Sequence, residues 1–161
     1  VHRGSTPTTA GGTTELTGYG WRGDFNSTEK KFSNGHHKLV GLSVDCLLSA
    51  TQSALTPAQI AALEDDIARM AVVIVVNRVP VHTVPFSELR GAGIVFGGGS
   101  AGATMATNAQ AAQNIGRDTV PDVVVPQDAR VTFNVDATDE GNPSAAHKIL
   151  VRGLWRKVVQ K

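Results

Sequence analysis

The feature that most constrains the fold is an alternation of apolar and polar residues with a period of two, which recurs along the chain. In the segment HKLVGLSVDCLLSA the apolar positions are Val40, Leu42, Val44, Cys46 and Leu48. In the segment RVTFNVDA they are Val131, Phe133 and Val135. This period places every second side chain on the same face of a β-strand, so it predicts strands that are buried on one face. The chain is therefore predicted to be mainly β.

A hairpin and a long final strand extend this pattern. The segment AVVIVVN is rich in β-branched residues, and Asn77-Arg78 is predicted to turn the chain back into VPVHTVPF. Pro80 and Pro85 have no backbone N–H to donate, so the second strand should lie at the edge of a sheet. The segment HKILVRGLWRKVVQ predicts a last strand that is broken or bulged at Gly153.

One α-helix is predicted between these strands. Thr56 is suited to the N-cap, Pro57 to the first helical position, and Gln59 completes a capping box. The acidic run Glu64–Asp66 is interpreted as a solvated helix face rather than as a metal site. Together these elements predict a single jelly roll or β-sandwich with one inserted α-helix.

The first 17 residues, VHRGSTPTTAGGTTELT, contain few side chains that could enter a core. Their content of Gly, Thr and Ser is typical of a flexible arm that becomes ordered on a partner. We therefore predict a flexible N-terminal arm over residues 1–17 and a single jelly-roll domain over residues 18–161.

Composition excludes several classes of protein. Fifteen basic and fourteen acidic residues leave a net charge of +1, which argues against a specific affinity for nucleic acid. One cysteine excludes an internal disulfide, and no apolar run reaches the roughly 18 residues of a membrane-spanning helix. Because the sequence shows no signal peptide, we expect a protein that is made in the cytoplasm and is not secreted.

Two glycine patterns overlap in the segment GIVFGGGSAGATM. Gly97, Gly99 and Gly102 match a dinucleotide-binding fingerprint, and Ser100 lies at the centre of a G-x-S-x-G nucleophile motif with His147 downstream. Both motifs belong in parallel α/β sheets, which this strand pattern does not predict. We therefore predict a flexible glycine loop, no catalytic, cofactor-binding or metal-binding residues, and no enzyme activity.

For the histidine and tryptophan residues, a structural role is favoured over metal binding or base stacking. His36 and His37 are adjacent and cannot face one metal ion from a strand, while His82 and His147 are interpreted as structural residues of the sheets. Trp155 lies among basic residues and would suit base stacking, but its alternation with them favours packing or a contact between subunits.

A resemblance adds a function to this fold. The segment LTPAQIAALEDDIARMAVVIVVNRVPVHTVPFSELRGAGI gives a capped helix, two strands and a short helix, and RVTFNVDATDEGNPSAAHKILVRGLWRKVV gives the closing strands. In the order of these elements the chain resembles the jelly-roll capsid proteins of membrane-containing icosahedral bacteriophages. Because the chain has room for only one jelly roll, it is most similar to the single, vertically oriented type.

This resemblance implies a structural virion protein that assembles with itself into the capsomers of an icosahedral phage. The implied partners are further copies of the chain, other capsid proteins and an internal lipid membrane, and the implied location is the virion. Two alternatives stay open. One is a receptor- or carbohydrate-binding β-sandwich of a spike or tail, with Tyr19 and Trp21 as an aromatic platform, and the other is a small enzyme that uses the loop Gly97–Gly102.

Overall fold

The computed structural model describes residues 1–20, 23–47, 57–89 and 122–159. Its strands are β1 (His2–Ser5), β2 (Thr13–Glu15), β3 (Gly18–Tyr19), β4 (Phe25–Asn26), β5 (Lys31–Phe32), β6 (His37–Leu47), β7 (Met70–Val76), β8 (Val79–Pro85), β9 (Val124–Val125), β10 (Val131–Ala137) and β11 (Lys148–Lys157). Its helices are α1 (Pro57–Ala68) and α2 (Phe86–Leu89). The prediction of a mainly β protein is confirmed.

The strands form two larger antiparallel sheets and one small hairpin. The five-stranded sheet has the order β3-β1-β11-β6-β9, the four-stranded sheet has the order β2-β10-β7-β8, and β4 pairs with β5. Eight of these strands pair in a nested manner, in which the first pairs with the last and each following strand with its counterpart from the other end. These pairs are β1 with β11, β2 with β10, β6 with β9, and β7 with β8.

One apolar core lies between the two sheets. The four-stranded sheet contributes Phe133 and Ile74, which are fully buried, and the five-stranded sheet contributes Ile149 and Val151. Because each sheet buries alternate residues against the other, the architecture is that of a β-sandwich.

The hairpin of β7 and β8 forms as predicted. Asn77 and Arg78 both have positive φ values, of 51° and 68°, which is the backbone that a tight two-residue hairpin turn requires. The side chain of Asn77 also accepts a hydrogen bond from the backbone N–H of Arg130, at 2.9 Å. Among the described residues β8 is the outermost strand of its sheet, as its two prolines predict.

The helix α1 begins at Pro57, as predicted, and ends at Ala68. The proposed cap Thr56 lies outside the described residues. Asp65 and Arg69 form an ion pair one turn apart, with 2.5 Å between Oδ2 and Nη2. Asp66, in contrast, is not part of a solvated face, because only 1% of its side chain is accessible.

The prediction of a flexible arm over residues 1–17 is wrong. β1 lies between β3 and β11 in the five-stranded sheet, and β2 forms an edge of the four-stranded sheet. The pairing of these strands with the sheets buries His2 and Leu16. Composition predicts an arm because residues 1–17 have few apolar side chains. These strands are instead stabilised by backbone pairing with β10 and β11, which needs few such side chains.

The predicted break at Gly153 is also wrong. β11 runs without interruption, and the irregularity lies in its partner β6, where Leu154 pairs with Gly41 and Trp155 pairs with Leu39. Val40 is therefore an extra residue, and this bulge exchanges the faces of β6. As a result Leu39 is buried on one side of the bulge and Leu42 on the other, while Val40 is only partly buried.

Candidate functional site: the two ends of the sandwich

The chemistry-bearing side chains of the described residues gather at the two ends of the sandwich. We define the acidic end as residues 6–12, 64–69 and 138–147. Backbone hydrogen bonds join these segments, from Thr138 N to Arg69 O at 3.0 Å and from Gly11 N to Thr138 O at 3.1 Å. The carboxylates of this end are Glu64, Asp65, Asp66, Asp139 and Glu140, and its single Lys or Arg is Arg69.

Asp66 is the centre of the acidic end. Its two carboxylate oxygens accept hydrogen bonds from the backbone N–H of Ser144 at 2.9 and 3.0 Å, and Oδ2 also accepts one from the Ser144 hydroxyl. Nε2 of His147 lies 2.7 Å from the same Oδ2 atom, and Nη2 of Arg69 lies 3.5 Å from Oδ1. The carboxylate thereby joins the end of α1 to the loop that precedes β11.

The same hydrogen bonds favour the ionised form of Asp66 and fix the direction of the Ser144 hydroxyl. Burial by itself would raise the pKa of Asp66, but hydrogen bonds from Ser144 and His147 outweigh it and keep the pKa of this carboxyl below its ordinary value. The Ser144 hydroxyl donates to Asp66 and not to His147, so the imidazole is not placed to take its proton. An activated serine needs that contact between nucleophile and base.

The sequence interpretation of these residues was partly right. His147 contacts Asp66 from the loop before β11, and not from within a strand as predicted. The burial of Asp66 was missed, because its partners lie 78 and 81 residues further along the chain. No signal within the helix itself distinguishes Asp66 from its exposed neighbours Glu64 and Asp65.

We define the basic end as residues 29–38, 77–79, 122–130 and 156–159. These segments also join by backbone hydrogen bonds, from Asn77 N to Arg130 O and from Val158 N to His36 O, both at 2.8 Å. The cations of this end are Lys30, Lys31, Lys38, Arg78, Arg130, Arg156 and Lys157. Its carboxylates are Glu29, Asp122 and Asp128.

The carboxylates near this end are engaged by cations. Lys31 contacts both Glu29 at 3.2 Å and Asp128 at 3.5 Å, and Lys38 contacts Asp122 at 2.7 Å. Glu15, at the end of β2, pairs with Lys30 and with Arg130. In the described parts of the chain no ion pair involves Arg78, Arg156 or Lys157, so the basic end carries a surplus of positive charge.

An open pocket of about 220 Å³ adjoins the basic end on the outer face of the four-stranded sheet. It is lined by Glu15, Val75, Arg78, Arg130, Thr132 and Asn134. The carboxylate of Glu15 is already paired with two cations, so it is not available as a general base.

The aromatic side chains of the described residues pack in the core or against it. Trp155 packs against the core beside Phe32, with ring centroids 5.3 Å apart, so the prediction of packing is confirmed. Tyr19 also packs against the core, next to His2, and therefore does not stand out as an exposed platform. His37 is buried and stacks on Phe32 at 4.0 Å.

Several predicted features lie outside the described residues. These are the loop Gly97–Gly102 with Ser100 and the indole of Trp21. Within the described ranges no group of three or more His, Cys, Asp or Glu side chains is arranged to hold a metal ion. None of the helices in that part of the chain is long and apolar enough to cross a bilayer.

Comparisons with known proteins do not identify a family. No protein family, no curated protein and no solved structure matches this chain.

Proposed function

We propose that the chain is a structural virion protein, a single jelly-roll subunit that assembles with itself into the capsid of an icosahedral phage with an internal membrane. The observation that carries this proposal is the nested pairing of eight strands, first with last through to the central hairpin. A long hairpin rolled up in this way produces the two four-stranded sheets of a jelly roll, an architecture of viral capsid and lectin domains.

The sheets also leave apolar side chains exposed where a neighbouring subunit could cover them. Leu154, on the outer face of the five-stranded sheet, is 64% exposed. It stands opposite Gly41, which has no side chain to cover it. A neighbouring subunit that covered Leu154 would remove this apolar side chain from water, which favours association.

The proposal is tested by multi-angle light scattering over a concentration series, with electron microscopy of the assembled fraction. We expect larger assemblies as the concentration rises. Leu154→Ser should weaken assembly, while Leu154→Ile, which retains an apolar side chain, should restore it. Both variants should keep the melting temperature of the wild type, because residue 154 contributes little to the core.

A monomer at every concentration would contradict the proposal. Retention on immobilised glycans by such a monomer would instead favour the carbohydrate-binding alternative, since jelly rolls also serve as lectins.

A further inference from the structure

Charge is segregated along the strand direction, although the whole chain is nearly neutral. With Glu15, which pairs with Lys30 and Arg130, the basic end has seven Lys or Arg residues against four carboxylates, and the acidic end has five carboxylates against one arginine. The ten residues of β11 separate the two ends by about 30 Å. Arg156 and Lys38 even lie directly opposite each other on neighbouring strands. Like charges in that position weaken a sheet, and of these two cations only Lys38 has a carboxylate partner, Asp122, among the described ion pairs.

Exposed apolar side chains accompany the cations. The large hydrophobic residues that are most exposed within the described ranges are Val79, Val81, Val124, Leu154, Val158 and Val159. Four of them belong to the basic end as defined above, and the other two lie on strands that reach it. Val159 is 79% exposed and Val79 is 59% exposed. The acidic end contains no exposed large hydrophobic residue in its described segments.

We propose that the basic end docks on an anionic lipid surface, with the strands standing away from the membrane. Cations attract lipid phosphates, and aliphatic side chains between them enter the boundary between headgroups and acyl chains. This inference deepens the proposed function and relies on it for the membrane that the subunit would meet. The acidic end then faces away from the bilayer, where like charge does not oppose docking.

Two other occupants fit the surface less well. Single-stranded nucleic acid is bound by aromatic side chains on which bases stack, but Phe32 and Trp155 at this end pack inside the fold. A second copy would have to present its acidic end, which offers no exposed large hydrophobic residue to cover the valines. A lipid surface matches both the charge and the apolar side chains.

The test is sedimentation of the full chain with vesicles that contain phosphatidylglycerol and phosphatidylcholine, compared with vesicles of phosphatidylcholine alone. We expect binding to the mixed vesicles that weakens as salt is added. Arg78→Gln combined with Arg156→Gln should lower the affinity about thirtyfold, since each cation near an anionic surface contributes a factor of about five. Val158→Ser combined with Val159→Ser should lower it about tenfold through the loss of apolar contact.

The matched control changes two charges at the other end, with Glu64→Gln and Glu140→Gln. This variant should bind the mixed vesicles at least as well as the wild type. Unfolding curves of all variants should coincide with that of the wild type, because the substituted side chains are exposed.

The inference is overturned if the arginine variant binds like the wild type, or if vesicles of phosphatidylcholine alone bind equally well. It is also overturned if an oligonucleotide that carries the same total negative charge as the vesicles displaces the protein from them. Light scattering on the dispersed protein separates this result from the proposed function. Binding by a chain that never assembles would support the lipid inference and refute the capsid proposal, and assembly without vesicle binding would do the reverse.

Discussion

Replacing Asp66 by asparagine should destabilise the fold far more than the same change at its neighbour Asp65. The Asp66 side chain is 1% exposed and receives hydrogen bonds from Ser144 and His147. Hydrogen bonds to a charged group contribute about 1.5–3 kcal/mol each, against about 0.5–1.5 kcal/mol for neutral ones. Loss of charge on two such contacts therefore predicts a cost of about 2–3 kcal/mol.

Asp65→Asn is the matched control. Asp65 lies on the same turn and pairs with the same Arg69, but 68% of its side chain is exposed. A solvated pair of this kind contributes about 0.3–0.5 kcal/mol. Urea denaturation of both variants at neutral pH measures the difference, and a decrease of about 2–4 °C in melting temperature for each kcal/mol lost, expected for chains of this size, gives a second reading.

The pH dependence separates a charge effect from a packing effect. The pKa of Asp66 is lowered in the folded state, so its ionised form stabilises the fold at all pH values above the unfolded value of about 3.9. That contribution is lost as the pH falls through the folded value. The difference in unfolding free energy between wild type and Asp66→Asn should therefore shrink below about pH 4.

Equal costs for the two asparagine variants, or a difference that stays constant into acid, would refute this reasoning. Either result would mean that Asp66 is solvated or that its contacts with the loop before β11 contribute nothing to stability.

Three further predictions concern the core and the amino-terminal strands. Burial, with the charge of the amino terminus adding to it, lowers the pKa of His2 to about 3, so the fold should lose stability as the pH falls from about 6.5. His2→Phe should remove that loss in melting curves recorded across this range. Gly153→Ala should cost about 1–3 kcal/mol in urea denaturation, because a Cβ there would lie 2.8 Å from Nε1 of Trp155. Gly41→Ala should cost less, since it meets only an exposed leucine. Deletion of residues 1–17 should abolish cooperative unfolding followed by circular dichroism, whereas unchanged unfolding would mean that these residues are an arm after all.

The parts of the fold that could be predicted are those specified over a few residues. The hairpin of β7 and β8 needs only β-branched residues and two positions that tolerate positive φ, and the segment 70–85 contains both. The start of α1 likewise follows from Pro57 at its first position. Such features require no knowledge of what the segment packs against.

The parts that could not be predicted depend on partners far away in the chain. β1 is a strand because β11 lies beside it, and His2 pairs with Val151 across nearly the whole sequence. The bulge at Val40 follows from the same pairing with β11, since β6 must change the face that it buries to match its partner. Asp66 is a buried acceptor only because the loop at Ser144 returns to it.

The nested pairing also explains why the two ends escaped prediction. When the first strand pairs with the last and the second with the one before it, each end of the sandwich collects turns from several distant segments. Cations from residues 29–38, 77–79, 122–130 and 156–159 thereby become neighbours, and carboxylates from two other segments, 64–69 and 138–147, gather about 30 Å away. A net charge of +1 averages over both ends, so it argues against an anionic partner for the molecule as a whole while leaving the basic end able to attract one. For a chain with this strand pairing, the charge of each end, and not the net charge, indicates which partners that end can bind.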